Sequence, residues 1–368
     1  MTKVLHLLAS GQPGGIETLC REISKTKCFE NGYVFMFSGG EIYNQMKKDG
    51  ATVYPLFEYG GRLSYKKAKE LRKIAEEYDV IIIHYKNPFL EIYYWYVLNH
   101  CNIKGIKYVH SCYDDGWLRH KNPLKELISH ITTQKTFDKS EKIVYVSNAG
   151  KKSCKAIYSI PDEKDNVIYN GISNELLEQG KQYCNRKKAE NQLHLLYIGR
   201  LVDIKGVDNL IKAFSRIIKN YNINLTIVGG GNEYNNLTQL AKKLNIEESV
   251  IFEGPQIDIS KYLANADYFI YPSTCKEVFG ISLVEAMTFG IPCIANRVGG
   301  IPEVIQDKVN GFLTDGVTDV ELENTIRKAI SVTDEEYNNL CINARKTAER
   351  FSITNCINGI DGVINDIK

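Results

Sequence analysis

Two glutamates eight positions apart, Glu277 and Glu285, lie on either side of a predicted helix start at Gly280. The residues from Gly280 to Phe289 have helical spacing, and the free backbone N–H groups of a helix N-terminus can bind an anion. Carboxylates only accept hydrogen bonds, so both glutamates are better suited to hydroxyl groups than to phosphate. The segment therefore predicts a ligand that carries phosphate and hydroxyl groups, such as a nucleotide sugar.

Two cations form a second candidate group upstream. Gly199 and Arg200 directly follow the apolar run Leu193–Ile198, and Lys205 comes shortly after them. Arg200 can bind two oxygens of a diphosphate, and Lys205 can add a point charge. Cations beside a leaving diphosphate stabilise the transition state more than the ground state, because charge builds there as the bond breaks. The alternative is an ordinary surface ion pair at a strand end.

Composition limits the class of protein. The chain has 368 residues, of which 43% are hydrophobic and 24% charged, as expected for two soluble globular domains. We expect no membrane span and no secretory leader, and the scattered cysteines predict reduced thiols in a cytoplasm. No cysteine–histidine cluster has zinc spacing and no Asp-x-Asp occurs, so neither a metal nor another cofactor is expected.

The charge is uneven along the chain. The net charge is +2, with an excess of basic residues before residue 172 and of acidic residues after it. The basic residues cluster in 62–73, 119–125 and 151–155. Solvated helix faces explain such clusters, and a face that meets an anionic membrane is the alternative. Nucleic acid is not expected as a partner, because no nucleic-acid-binding motif surrounds these charges.

Strand-like and helical stretches alternate in both halves of the chain, which predicts parallel sheets covered on both faces. In the first half we predict strands at 4–8, 33–37, 52–56, 80–84, 107–111, 142–147 and 166–170. A polar stretch at 173–192 is predicted to be a linker. The second half is predicted to have strands at 193–199, 225–228, 250–253, 268–271 and 292–295, and a helical tail from 334. The predicted fold class is therefore α/β, with two doubly wound domains.

Together, Glu-x-Phe-Gly from Glu277, the second glutamate before Ala-Met, Gly-x-Pro from Gly290 and the Gly299-Gly300 pair resemble the donor signature of the retaining family 4 glycosyltransferases. The resemblance implies the GT-B fold, with two Rossmann-like domains facing across a cleft and a C-terminal helix that returns to the N-domain. It assigns 1–171 plus 352–368 to an acceptor-binding domain and 172–351 to a donor-binding domain.

The resemblance also implies roles for individual residues. Glu277 would bind the transferred sugar and Glu285 the ribose, while His110 would lie beside the reacting sugar face, with His84 as its rival. Glu277, His110, Arg200 and Lys205 are the candidate catalytic residues. The candidate donor-binding residues are Gly14, Gly15, Gly199, Arg200, Lys205, Gly254, Glu277, Phe279, Gly280, Ile281, Ser282 and Glu285.

The predicted function is transfer of a hexose-type sugar, with retention, from a nucleoside-diphosphate sugar, for which UDP is the expected nucleotide. The expected acceptor is a glycan or a lipid-linked molecule in polysaccharide or cell-envelope biosynthesis. The expected location is the cytoplasm or the inner face of the cell membrane. Two alternatives stay open: a nucleotide-sugar epimerase of the same fold, and a non-catalytic subunit that binds the nucleotide sugar beside an active transferase.

Overall fold

The protein divides into two compact units in a computed structural model. Met1–Gly171 and Ile353–Lys368 form the first unit, and Ile172–Ser352 forms the second. The structure describes residues 1–37, 39–57, 63–115, 122–183, 187–189, 191–256 and 258–368. Arg62, residues 119–121 of the predicted basic clusters and part of the predicted linker lie outside these ranges.

The first unit contains a seven-stranded parallel sheet with the strand order β3-β2-β1-β4-β5-β6-β7. The strands are β1 (Lys3–Leu8), β2 (Glu30–Phe37), β3 (Thr52–Phe57), β4 (Val80–Ile83), β5 (Lys104–Val109), β6 (Lys142–Tyr145) and β7 (Asp165–Val167). Its helices are α1 (Gly15–Ser24), α2 (Glu41–Lys48), α3 (Tyr65–Ala75), α4 (Pro88–His100), α5 (Pro123–Lys139), α6 (Asn148–Lys155) and the C-terminal α15 (Ile353–Asn365).

The second unit contains a six-stranded parallel sheet with the order β10-β9-β8-β11-β12-β13. The strands are β8 (Leu193–Ile198), β9 (Ile223–Val228), β10 (Val250–Gly254), β11 (Tyr268–Tyr271), β12 (Cys293–Asn296) and β13 (Gly311–Thr314). Its helices are α7 (Asn174–Lys181), α8 (Val207–Ile217), α9 (Tyr234–Lys243), α10 (Ser260–Asn265), α11 (Ile281–Thr288), α12 (Ile301–Val304), α13 (Asp319–Ile330) and α14 (Asp334–Arg350).

The central strands are buried because helices cover both faces of each sheet. All four residues of β4 and all four of β11 are buried, and neither strand shows the alternation of a half-exposed strand. The predicted fold class is confirmed: each unit is Rossmann-like. In such sheets ligands bind beyond the carboxyl ends of the strands, where the strand order reverses. We call the gap between β1 and β4 the first switch point and the gap between β8 and β11 the second switch point.

Three details differ from the sequence prediction. The predicted linker is wrong in part, because α7 lies inside it and packs on α11, with Gly180 against the Thr288 backbone. Strand β13 was missed, since Gly311–Thr314 is short and follows a polar turn. The helical tail is two helices, α14 and α15, and the chain passes from the second unit to the first between Ser352 and Ile353.

Candidate active site

The second switch point gathers the charged residues that the sequence singled out. Gly199 and Arg200 directly follow β8, and Lys205 ends a short 3-10 turn just beyond them. The loop after β11 carries Ser273 and Glu277. Because β8 and β11 are neighbouring parallel strands, their carboxyl ends bring both loops to the same edge of the sheet.

Glu277 and Lys205 form an ion pair at this edge, with side chains only 13% and 14% exposed. Ser273 donates a hydrogen bond to Oε1 of Glu277 at 2.5 Å, and Lys205 Nζ lies 3.4 Å from the Tyr271 hydroxyl. Burial opposes ionisation of Glu277, but the Lys205 ammonium and the hydrogen bonds from Ser273 and Cys275 outweigh it and lower the carboxyl pKa. The site therefore holds an ionised Glu277 carboxylate, paired with Lys205, at neutral pH.

The loop that carries Glu277 is held by its backbone. A Cβ atom on Gly299 would lie 2.0 Å from the Glu277 carbonyl oxygen, and one on Gly206 would lie 2.2 Å from the Pro272 carbonyl oxygen. Gly300 N–H donates to the Glu277 carbonyl at 2.7 Å. Glycine is required at both positions because each has positive φ, 52° and 63°, as well as this close approach.

Helix α11 begins beside this loop without a side-chain cap. Gly280 is its N-cap in a left-handed conformation, with φ 84° and ψ 67°, and a glycine has no side chain that could accept a hydrogen bond from the first turn. Phe279 is buried, while Ile281 and Ser282 are partly exposed at the helix start. An uncapped helix N-terminus presents backbone N–H groups to an anion, and the helix dipole favours negative charge there.

Glu285 lies one turn further along α11. Its environment differs from that of Glu277, because among the described residues no side chain or backbone group hydrogen-bonds to its carboxyl. Burial raises the pKa of Glu285 to about 7, so the carboxyl is close to half-ionised at neutral pH. Hydroxyl donors from a ligand would supply the missing hydrogen bonds and favour the carboxylate form.

Arg200 and Gly254 complete the predicted donor residues in this unit. The Arg200 side chain is exposed and makes no ion pair within the described part of the chain, while the Tyr197 hydroxyl fixes its backbone carbonyl at 3.0 Å. Gly254 ends β10 with φ 68°, and its carbonyl accepts from Gly229 N–H at 2.8 Å. Arg200 is therefore available to an anion, whereas Gly254 serves the turn.

The glycine loop of the first unit opens α1. Gly14 is the N-cap of this helix, and the helix begins at Gly15. The buried Glu17 carboxyl lies against this backbone, since a Cβ on Gly14 would be 2.5 Å from Oε2 of Glu17. Tyr85 donates its hydroxyl to Oε1 of Glu17, and burial raises the pKa of the Glu17 carboxyl. The sequence analysis named Gly14 and Gly15 in this loop and did not predict the contact of Glu17 with Tyr85.

Three histidines lie in a row across β1, β4 and β5. His6 Nδ1 is 3.0 Å from His84 Nε2, and His84 Nδ1 is 3.0 Å from His110 Nε2. His6 Nε2 is 3.0 Å from Oδ1 of Asn31. The sequence treated His84 and His110 as rivals, but the structure joins them. His6 and Asn31 were missed; the sequence offered only that His6 lies within the predicted strand at 4–8 and that His84 ends the predicted strand at 80–84.

Burial controls the charge of these histidines. It lowers the pKa of His6 to about 4, and burial with the nearby Lys107 ammonium lowers the pKa of His110 to about 3. The pKa of His84 is lowered in the same direction, first by burial and then by its charged neighbours. All three imidazoles are therefore neutral at physiological pH.

A metal could be considered at His6, Cys20 and His84, whose ligand atoms lie within 4.8 Å of one another. However, both ring nitrogens of His6 and of His84 already lie at hydrogen-bond distance from other side chains. Burial also raises the pKa of the Cys20 thiol well above its usual range, which disfavours the thiolate that metals bind. The hydrogen-bonded chain accounts for this cluster without a metal.

Two family models match consecutive parts of the chain. The model described as Glycosyltransferase Family 4 matches residues 13–176, and the model described as Glycosyl transferases group 1 matches residues 182–347. The boundary between the two matches falls near the end of α7. The chain belongs to the group 1 glycosyltransferases of family 4.

Individual relatives agree with this assignment. The chain is 35% identical over 177 residues to N-acetyl-alpha-D-glucosaminyl L-malate synthase of Bacillus anthracis, a match that covers 47% of the chain and 44% of that protein. The chain thus spans less than half the length of this relative. An uncharacterized glycosyltransferase of Haemophilus influenzae is 28% identical over 304 residues, covering 80% of the chain and 79% of that protein.

Solved structures share the fold over the whole chain. Anabaena Alr3699/HepE in complex with UDP-glucose superimposes with a TM-score of 0.81 at 23% identity, covering all of both chains. WaaG, a glycosyltransferase involved in lipopolysaccharide biosynthesis, superimposes with a TM-score of 0.73 at 19% identity, covering 98% of this chain and 99% of its own. At these identities the likeness establishes the GT-B fold.

Proposed function

We propose that the protein is a retaining glycosyltransferase that takes a hexose-type sugar from a UDP-sugar without a metal ion. The observation that carries this proposal is the Glu277–Lys205 pair beside the uncapped start of α11. A phosphate needs cations and N–H groups, whereas a sugar needs carboxylate acceptors. The second switch point supplies both within one edge of a sheet.

Each residue has a defined task in this proposal. Arg200, Lys205 and the first N–H groups of α11 bind the diphosphate, and Glu285 accepts hydrogen bonds from the ribose hydroxyls. Glu277 accepts hydrogen bonds from the transferred sugar and orients its anomeric carbon. Lys205 is already paired with Glu277, so diphosphate and sugar share one electrostatic network. Negative charge that develops on the diphosphate would then interact with Lys205 and, through it, with the Glu277 carboxylate that binds the sugar.

We propose substitution on one face of the sugar. The bond from the anomeric carbon to the diphosphate breaks, and the acceptor oxygen forms the new bond from the same side. The acceptor proton passes to the leaving phosphate oxygen, so no enzyme carboxylate has to become a nucleophile. Developing charge on the diphosphate is stabilised by Arg200, Lys205 and the α11 dipole, which act where the transition state is most negative.

The choice of nucleotide and acceptor rests on the relatives. The Anabaena protein is crystallised with UDP and with UDP-glucose, which supports UDP as the nucleotide. WaaG acts in lipopolysaccharide biosynthesis, which supports an acceptor of the cell envelope. We propose a glycan or lipid-linked acceptor on this basis, bound by the first unit, in which Gly14 and Gly15 stay candidate donor-binding residues and His110 a candidate catalytic residue.

A thermal-shift screen with UDP, GDP, ADP and CDP in the presence of EDTA tests the donor site. UDP should raise Tm because it binds only the folded state, and Glu285→Gln should reduce that shift. A shift that appears only when Mg²⁺ is added would contradict the metal-free proposal. The anomeric configuration of the product, read by NMR, then tests retention. Epimerisation of the nucleotide sugar in the absence of any acceptor would instead identify an epimerase.

We also propose that the first unit contacts an anionic membrane peripherally. Among the described residues no helix is both long and apolar enough to cross a bilayer. Helix α5, however, exposes four aliphatic side chains at helical spacing, and α3 carries five basic residues. The exposed set on α5 is Leu124, Leu127, Ile128 and Ile131. The basic set on α3 is Lys66, Lys67, Lys69, Arg72 and Lys73.

An apolar stripe and a basic helix in the same unit are suited to lipid, because aliphatic groups enter the acyl boundary while lysines meet anionic headgroups. Leu127→Asp with Ile131→Asp should reduce sedimentation with vesicles of phosphatidylglycerol and phosphatidylcholine. Val320→Asp, an equally exposed aliphatic residue on α13 of the second unit, is the matched control. Equal vesicle binding by both variants would contradict this proposal.

A further inference from the structure

The hydrogen bonds in the row of histidines in the first unit all donate in one direction, which Asn31 beside His6 determines. Asn31 donates Nδ2–H to the Ile23 carbonyl at 3.4 Å, and a carbonyl can only accept. The Asn31 amide oxygen therefore faces His6. Because that oxygen is also only an acceptor, His6 must donate from Nε2 across the 3.0 Å contact. One orientation of an amide group thus fixes the first proton of the row.

The remaining protons follow from the chemistry of neutral imidazole. A neutral ring has one N–H and one lone pair, so His6 carries its lone pair on Nδ1 and accepts there from Nε2–H of His84. His84 in turn has its lone pair on Nδ1 and accepts from Nε2–H of His110. His110 is then left with the lone pair on Nδ1. Among the described residues, no protein group hydrogen-bonds to that atom.

We propose that His6 and His84 are positioning residues that set the tautomer of His110, so that His110 Nδ1 presents a lone pair to the substrate. The inference rests on the proposed function, and it adds that a hydroxyl of the acceptor or of the sugar donates to His110. Such a hydroxyl needs an acceptor, and the other tautomer would offer an N–H instead. The row thus determines whether His110 accepts or donates at the reacting face.

The surroundings of the row keep it neutral and in place. His6 stacks on Tyr33 at 4.7 Å between ring centroids, and Tyr108 stacks on His110 at 4.4 Å. The groups that face the row are Cys20 from α1, whose Sγ is 3.7 Å from His84 Nε2, and Lys107 from β5, which disfavours a further positive charge. The stacked rings fix the planes of the imidazoles, so the lone pairs of His6 and His84 point along the row to the next ring nitrogen.

Nitrogen-15 NMR of the full chain, labelled at histidine, measures the tautomers without any substrate. His6, His84 and His110 should all be protonated at Nε2 and unprotonated at Nδ1 between pH 6 and pH 8. Single substitutions of each histidine assign the signals. A proton on Nδ1 of His110 in the native protein would overturn the proposal.

Two substitutions of His84 separate tautomer control from packing. His84→Leu removes both hydrogen bonds, and His110 should then populate both tautomers. His84→Gln keeps one donor and one acceptor, so it should restore the Nε2–H form. In UDP-sugar turnover, His84→Leu should lower kcat in proportion to the fraction of His110 that leaves the Nε2–H form, about twofold for an equal mixture, with the donor KM unchanged. Recovery by the glutamine variant would support the proposal.

A variant at the partly exposed end of the row provides a second test if His84 variants unfold. Asn31→Leu removes the acceptor for His6 and should mix the tautomers of all three rings. An unchanged His110 tautomer in both Asn31→Leu and His84→Leu would overturn the proposal. The His110 tautomer could shift in Asn31→Leu or His84→Leu while His110→Ala keeps the native rate of sugar transfer. That result would show that His6 and His84 set the tautomer of His110 but that His110 takes no part in the reaction. Failure of the proposed function and failure of the tautomer proposal are therefore distinguishable.

Discussion

The two switch points have the same topology but opposite electrostatics. At the first, burial removes charge from His6, His84 and His110, and the hydrogen bonds between neutral rings connect the strands. At the second, Lys205 outweighs the burial of Glu277 and keeps an ion pair at the edge of the sheet. The strand order therefore decides where a site lies. Whether the site is charged depends on the neighbours of each buried group: Lys205 keeps Glu277 ionised, whereas the histidines hydrogen-bond to one another as neutral rings.

The largest effect should come from removing the cation of the second switch point. Lys205→Ala should lower kcat for sugar transfer by about 10²–10³-fold, the usual effect of losing one group that stabilises developing negative charge. The measurement is UDP release at saturating donor. Lys212→Ala is the matched control, because Lys212 pairs with Asp208 on the exposed side of α8. If Lys205→Ala is as active as this control, the second switch point does not act by stabilising negative charge on the diphosphate.

A smaller effect should come from the backbone that holds Glu277. Gly299→Ala combines positive φ with a Cβ 2.0 Å from the Glu277 carbonyl oxygen, so it should destabilise the protein by several kcal/mol and lower kcat. Gly50→Ala in the first unit also has positive φ, 84°, but its Cβ would meet nothing within 4 Å, so it should cost only about 1 kcal/mol. Urea unfolding of both variants measures the difference, and equal losses would contradict it.

The smallest effect concerns Glu285. Its pKa is raised from an ordinary 4.5 to about 7, so the unfolded chain releases this proton first. This contribution to stability therefore falls as pH rises from about 4.5 to about 7. Glu285→Gln should be more stable than the native protein at pH 8, on the order of 1–2 kcal/mol, and similar to it at pH 4. Glu247→Gln, at an exposed site, controls for net charge, and a pH-independent difference in Tm would contradict the assignment.

The Glu285 carboxyl should also make UDP binding depend on pH. Ribose hydroxyls favour the ionised form of Glu285, so the affinity for UDP should rise more steeply as pH increases through 7 in the native protein than in Glu285→Gln, where only the terminal phosphate of UDP titrates. Calorimetric titration with UDP at pH 6 and pH 8 measures this change. No titrating carboxylate of this kind exists in the histidine row, whose rings remain neutral over the same interval.

Much of the fold could be predicted because buried parallel strands leave a continuous apolar signal. Leu5, Ile82 and Phe269 all lie in such runs, and the strands at these places were predicted. Strand β13 gave no such signal, since only Phe312 and Leu313 are large and apolar in it. Helix α7 was hidden because its buried contact is made by Gly180, a residue that sequence patterns do not count as core.

The candidate site was predictable to a different depth in each unit. Glu277 and Glu285 belong to one short segment, so spacing along the chain placed both beside α11. The contact of Lys205 with Glu277 joins residues far apart in sequence, and it depends on the pairing of β8 with β11. The row of His6, His84 and His110 depends on the register of three strands, which no local pattern specifies.

The glycine contacts around Glu277 have a consequence for engineering. Gly206 and Gly299 closely approach carbonyl oxygens of this loop, those of Pro272 and Glu277, so the backbone is held at both ends of the segment that leads to the carboxylate. Thr274 lies between these ends and donates its hydroxyl to the Ile204 carbonyl at 3.2 Å, so a library in this loop should keep that hydroxyl. Altered sugar preference is therefore best sought between the two clamped ends of this loop, whereas changes to the glycines themselves would destroy the frame that any new specificity needs.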